Sequence, residues 1–349
     1  MYIKYANICI RRKTIMMRKR MLRVLSVVLI CIFALSACKK NVGTPEDNAV
    51  TEETQDSEET EEDTYVFGFT AIDMENPYFI TLEAAMREAI EDEGYQMITK
   101  DPGSDPELQA TQIEEMIEEG IDAIFLCPVD WEAITPSLEK LKDADVKIIN
   151  VDTQVKEMDY VDAYVGSDNE KAGYICGEDL IERCPDGGKV AILECPTQNS
   201  INDRITGFEE AIAKAEKGFE VVARADTNGE FEKALDAAEK IVDEYPDVMA
   251  IMCGNDQLAV AAKTAVNLAG LDKVIIYGVD GSPDIKKELK KSESQIAGTA
   301  AQSPINMGKT AAQVGIDILE GNEYEEETYE DVFMIDKDNV DMYGVDGWQ

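Results

Sequence analysis

Histidine is absent from all 349 residues. That removes Ser-His-Asp and Cys-His catalysis together with the commonest metal ligand, and leaves bond-making chemistry to carboxylate, Lys, Tyr or Cys alone. Basic residues are scarce as well: 33 Lys+Arg stand against 72 Asp+Glu, a formal net charge of −39. Such a chain repels phosphate at long range and lacks the cations that neutralise a polyanion, so nucleic acid is not expected as a partner. No CxxC pair occurs among the eight cysteines. Five of them lie beyond Cys38, at 127, 176, 184, 195 and 253, an odd number that favours free thiols over a disulfide scaffold and leaves one bridge open. Neither a metal nor a cofactor is expected.

The few basic residues are unevenly placed. Eight fall within residues 1–37, where there is no acid, and most precede an apolar run over 24–35 that is too short to span a bilayer comfortably. Small residues Ser36 and Ala37 follow. This is the order of a signal peptide, and "MRKRMLRVL" from Met17 already supplies a complete basic start. Leu35-Ser36-Ala37-Cys38 resembles the bacterial lipobox, which implies cleavage before Cys38 and lipid on its sulfur, with the protein exported and held on the outer face of the cell membrane. Removing the eight basic groups leaves 25 against 72 acids, a net charge of −47. Next comes "NVGTPEDNAVTEETQDSEETEEDT", residues 41–64, too polar to offset the entropy of folding. A disordered linker over 38–63 is expected, extending by at most about 3.3 Å per residue.

About 285 residues follow, enough for two lobes. Short apolar runs recur through them: "TYVFGFT", "YQMIT", "DAIFLCP", "VKIINVD", "KVAILEC", "FEVVARA", "VMAIMCG", "KVIIYGV" and "QIAGTAA". Helical patterns separate them, as in "PYFITLEAAMREAIEDEG", with apolar residues at 79, 82, 86 and 90 and Gly94 at its end. Strands apolar throughout and alternating with amphipathic helices predict parallel sheets covered on both faces, a doubly wound α/β class. The pattern starts twice, at "LEAAMREAIEDEGYQM" and "FEEAIAKAEKGFEV", so two similar lobes are expected.

Open parallel sheets bind ligands at the carboxyl ends of their strands. Those ends are polar here: "DMENPYF", "CPVDW", "NVDTQ", "CPTQNSINDR", "ADTNGEF", "CGNDQ", "GVDGSPD" and "AAQSP". Each is also a natural place for a helix cap, and Asp130 and Ser282 read as caps. Taken together, acids and amides converging on one cleft offer donors and acceptors to a polyhydroxyl compound.

In these segments, and in "VGSDNEKAG", "DRITGFEEAI" and "IDKDNV", the chain resembles bacterial periplasmic sugar-binding proteins of the ribose- and galactose-binding type over about residues 64–340. The resemblance implies a type I fold of two doubly wound lobes joined by a three-crossing hinge, with residues 64–166 plus 303–328 in one lobe and 167–302 plus 329–349 in the other. It implies a monomer that captures a small sugar or polyol and delivers it to an ABC permease. Carried over by position, Asn76, Tyr78 and Phe79 form the first ligand loop, Asp152, Asn255 and Asp280 bind hydroxyls, and Gln302 is a hinge residue touching ligand. Cys127, Thr153 and Gly229 depart from the ribose pattern, standing where an amide, an arginine and an aromatic wall are expected, with Trp131 and Phe231 the nearest aromatics to that wall. Arg204 aligns with a ligand arginine in the galactose type and a structural one in the ribose type, whose ligand arginine falls on Asn202. The galactose binders' calcium loop has no counterpart. A sensor of the same fold signalling to a kinase or chemoreceptor remains open, as does, with less support, a glycosidase using Asp152 and Asp280.

Overall fold

The structure, a computed structural model, describes residues 64–349; the signal segment, Cys38 and the linker over 38–63 lie outside the described residues. The first lobe is built from β1 (Val66–Thr70), α1 (Pro77–Asp92), β2 (Gln96–Lys100), α2 (Pro106–Glu119), β3 (Ala123–Leu126), α3 (Thr135–Asp143), β4 (Lys147–Val151) and β5 (Ala163–Ser167). The chain then enters the second lobe through α4 (Asn169–Arg183), β6 (Gly188–Glu194), α5 (Asn199–Ile212), β7 (Phe219–Asp226), α6 (Phe231–Glu244) and β8 (Ala250–Cys253). That lobe continues with α7 (Asp256–Leu268), β9 (Ile275–Asp280), α8 (Pro283–Leu289) and β10 (Ile296–Ala301). Next, α9 (Pro304–Glu320) returns to pack on α1, and β11 (Glu327–Glu330) joins the first sheet. The chain ends with β12 (Phe333–Asp336) in the second sheet and the short α10 (Val340–Tyr343).

The two sheets run β11-β5-β4-β3-β1-β2 and β12-β10-β9-β8-β6-β7. All pairings are parallel except β10 with β12. The twofold start of the pattern is visible in this order, since β1-α1-β2 and β6-α5-β7 occupy equivalent ends of their sheets. Between the sheets the chain crosses three times, after Ser167, after Ala301 and between Glu330 and Phe333. The third crossing comes later than the expected boundary at 328/329, because Tyr329 and Glu330 pair with Gly166 and Ser167 of the first sheet. The chain's end also differs from a simple second-lobe assignment: Trp348 packs against the first-lobe core.

Local chemistry accounts for the helices. Asn76 caps α1 by accepting from the Tyr78 N–H at 3.0 Å, Pro77 occupies its first turn, and Gly94 follows its end at φ +86°. On its inward face Phe79, Leu82, Met86 and Ile90 are buried, the four apolar positions of the sequence pattern. Strand interiors are buried on both faces: Phe125 packs with Phe67 on one side of the first sheet while Ile124 and Leu126 join Ile113 and Met116 on the other. Hence the runs read as apolar throughout rather than alternating. All five described cysteines are free thiols. Among the described residues no helix is long and apolar enough to cross a membrane.

One contact between helices matters for the site. A Cβ on Gly173 of α4 would lie 1.6 Å from the Arg204 carbonyl oxygen, and one on Gly207 of α5 would lie 1.8 Å from that of Glu170. Two glycines therefore let α4 and α5 touch backbone to backbone, which seats Arg204 beside Asn169 under the cleft.

Candidate functional site: a polar cavity between the lobes

A cavity lies between the carboxyl ends of the two sheets. The first lobe contributes Ile72, Asp73, Asn76, Tyr78, Phe79, Ser104 and Asp152; the second contributes Gln198, Ser200, Arg204, Asn228, Gly229, Asn255, Gln257 and Asp280. The lobes touch around it. Thr153 and Ser200 share a hydroxyl–hydroxyl bond of 2.7 Å, and the Trp131 N–H donates to the Thr197 carbonyl at 3.0 Å.

Two carboxylates dominate the cavity, one from each lobe. Asp152 follows β4 at φ +61° and Asp280 ends β9 at φ +138°, both backbone conformations that side-chain-bearing residues seldom adopt. Both are buried, at 4% and 7% exposure. Asp152 is held from behind: the Tyr164 hydroxyl donates to its carbonyl at 2.8 Å, and its Oδ2 accepts from the Thr153 hydroxyl at 3.1 Å and the Cys127 thiol at 3.7 Å. Burial, reinforced by Asp152, pushes the Cys127 thiol well above its ordinary pKa, so it donates as a neutral thiol.

Asp280 accepts from the Gln302 amide at 2.8 Å, and the Arg204 guanidinium lies 3.9 Å away. Burial pushes its pKa up to about 6, against the opposing pull of Arg204 and Gln302. Behind it, Asp256 is pushed up to about 8 by burial and by Asp280, although it accepts from Ser282 N–H and the Thr299 hydroxyl at 2.7 Å each. Arg204 serves two purposes. Its Nε donates to Asn169 at 2.8 Å and one Nη to the Gly254 carbonyl at 2.9 Å, bracing α5, while the same side chain lines the cavity.

The amides and aromatics complete the lining. Asn76 and Asn255 each use their side-chain oxygen to cap their own helix, at 3.0 Å from Tyr78 N and Leu258 N, which leaves their NH₂ ends as donors. Tyr78 and Phe79 meet edge to face at 5.3 Å. Burial, then Asp152 and Asp280, hold the Tyr78 phenol well above its ordinary pKa, so it too remains a neutral donor. Two buried amides fix the loops: Gln109 bonds the Cys127 carbonyl and the Val129 N–H, and Asn150 bonds the Leu126 and Thr153 carbonyls and the Val155 N–H.

Of the residues read from the sequence, Asn76, Tyr78, Phe79, Asp152, Arg204, Asn255 and Asp280 thus line one cavity. Cys127, Thr153 and Gln302 stand behind the lining and act on it through Asp152 and Asp280. Asn202 points elsewhere, donating to the Pro196 carbonyl at 3.0 Å. Neither Trp131 nor Phe231 lines this cavity. At Gly229, held at φ +71°, a Cβ would meet the Gln198 amide nitrogen at 2.8 Å, so a polar amide covers the place where an aromatic wall was expected. Gln198, Ser200, Asn228, Gln257 and Asp73 belong to polar strand-end segments legible in the sequence; Ser104, at φ +63° after β2, gave no comparable signal.

The raised pKa of Asp280 yields opposite pH trends for stability and binding. Its folded-state pKa of about 6 lies above the unfolded value near 4, so the ligand-free protein loses stability as pH rises from about 4 to 6, and Asp256 extends the loss toward 8. A hydroxyl donating to Asp280 favours the ionised acid, so affinity for a neutral polyol should fall as pH drops through about 6. Titration calorimetry across pH 4.5–8 checks this; affinity flat over that range would remove ionised Asp280 from binding.

The sequence of residues 67–323 matches the family model described as a periplasmic binding protein domain. The ribose import binding protein of Bacillus subtilis is 28% identical over 258 residues, covering 74% of this chain and 82% of that protein. The D-ribose/D-allose-binding protein of Pseudomonas aeruginosa is 30% identical over 264 residues, covering 72% and 81%. Among solved structures, an ABC transporter solute-binding protein of Actinobacillus succinogenes with bound D-allose superposes with a TM-score of 0.73 at 28% identity, covering 80% of this chain and all of that one. The two-lobed fold, the interlobe cavity and these matches agree, and the chain belongs to the periplasmic binding protein family.

Proposed function

We propose that this protein captures a neutral sugar or polyol between its lobes and presents the closed form to an ABC importer. The observation that carries this reading is the pair of buried carboxylates, Asp152 and Asp280, brought from opposite lobes to one cavity with the amides of Asn76 and Asn255 beside them. Adjacent hydroxyls satisfy such acids, each charge-assisted bond contributing about 1.5–3 kcal/mol. Because the acids sit on different lobes, the ligand is held fully only when the lobes meet, and its differential affinity for that state drives closure. The relatives named for ribose, allose and ABC import support the same class of solute and partner.

Ligand size and charge follow from the lining. Thr153 spends its hydroxyl on Asp152 and Ser200, and Gln198 covers Gly229, so the site differs from a ribose site at both places. A hexose, a linear or cyclic polyol, or a modified sugar fits this lining. Anionic sugar phosphates do not, since Arg204 already lies 3.9 Å from Asp280 within a strongly negative chain. A thermal-shift screen of pentoses, hexoses, inositols, sugar acids and sugar phosphates tests the reading, because a ligand bound only by the folded form raises the melting temperature. The largest shift should come from a hexose or polyol; a shift confined to ribose or to phosphorylated sugars would contradict it.

Anchoring rests on the sequence at Leu35-Ser36-Ala37-Cys38. In this reading lipid on Cys38 holds the folded body at the outer face of the membrane through the acidic linker. Cys38→Ala should abolish incorporation of radiolabelled fatty acid, and unchanged labelling would rule the anchor out.

A further inference from the structure

A second, apolar groove opens beside the polar cavity. Its apolar walls are Pro77 of the first lobe and Phe231, Val260, Pro283 and Trp348, with Asp256, Ser282 and Asp284 also lining it. Three residues line both: Asn76, Gln257 and Asp280. The groove therefore starts at the rim where the polar cavity ends.

Trp348 is fixed in place, not a loose end. The buried Lys286 ammonium donates to the Gly347 carbonyl at 2.6 Å and to Gln349 Oε1 at 3.0 Å. In turn the Gln349 amide donates to the Asp280 and Gln302 carbonyls at 3.1 and 2.7 Å, and the Ser303 hydroxyl donates to the Gln349 carbonyl at 2.6 Å. So anchored, the Trp348 ring meets Tyr78 edge on at 5.7 Å. Four residues, Lys286, Asp280, Gln302 and Ser303, thus hold one aromatic wall of the groove against the cavity-lining Tyr78.

Resting on the sugar-capture reading above, we propose that the solute is a sugar bearing an apolar substituent, an aryl or alkyl glycoside in the simplest case, with its ring in the polar cavity and its substituent in the Phe231–Trp348 groove. The second space adds Pro77, Phe231, Val260, Pro283 and Trp348 to its polar rim, and the shared rim of Asn76 and Asp280 lets one molecule occupy both. A substituent there removes apolar surface from water on both sides, and aromatic walls suit an aromatic or aliphatic group. The groove has a wall from each lobe, so filling it also favours the closed arrangement.

Titration calorimetry on the full protein compares D-allose, D-galactose, D-glucose and myo-inositol with the phenyl α- and β-glycosides of the three hexoses. At least one phenyl glycoside should bind tenfold or more tightly than its parent hexose, about 1.4 kcal/mol. Phe231→Ala should erase most of that gain while leaving the parent hexose within about twofold, which a merely structural loss would not do, and Trp348→Ala should erase most of the gain as well. Phenyl glycosides that bind no better than their parents would overturn the proposal while leaving sugar capture intact, as would a gain that survives both substitutions. If neither the free polyols nor the glycosides bind, sugar capture itself fails, and the groove proposal with it.

Discussion

Two buried carboxylates brought from opposite lobes to one cavity govern this molecule. Asp152 and Asp280 sit at the ends of facing sheets, in strained backbone conformations, with Arg204 as the cation close to one of them. Burying an acid is costly unless donors surround it. The protein supplies donors itself, a thiol and a hydroxyl to Asp152, and the Gln302 amide and the Asp256 N–H to Asp280, and a polyol would add hydroxyls from the cavity side. The surroundings serve that arrangement: Gln109 and Asn150 pin the loops behind Asp152, and the Gly173–Gly207 contact seats the arginine.

The hinge connects these parts. Gln302 follows the strand at which the chain leaves the second lobe, donates to Asp280, and accepts from the Tyr78 hydroxyl of the first lobe at 3.4 Å. One side chain thus reports on both lobes and on the ligand acid. The terminal Gly347–Gln349 segment adds a second tie at the same place by bonding the Asp280 and Gln302 backbones. Closure, ligand acid and hinge are consequently coupled through a few direct contacts, which is how binding energy at the cavity becomes a change in lobe arrangement.

Much of this was legible in the sequence, for physical reasons. Central strands buried on both faces are apolar throughout, and the nine apolar runs correspond to nine of the twelve described strands, the half-exposed edge strands β2 and β7 among them. The three not singled out are β5, which closes on Gly166 and Ser167, β11, whose "ETYE" is polar and half exposed at a sheet edge, and β12, the antiparallel edge strand. Seven of the eleven residues assigned to ligand line the cavity because strand ends are where an open parallel sheet exposes polar groups. Asn202 and Arg204 share α5 two positions apart, and of the two Arg204 lines the cavity. Trp348 left no trace, since its place depends on Lys286 and Ser303, distant in sequence.

The central claim is that a hydroxylated solute completes a buried acid. Its most direct test is calorimetry of the parent protein and Asp280→Ala with whichever hexose or polyol binds the parent. Losing the charged acceptor while the solute hydroxyls stay buried should weaken binding by about 2–4 kcal/mol, roughly thirtyfold to a thousandfold. An affinity within twofold of the parent would contradict the account.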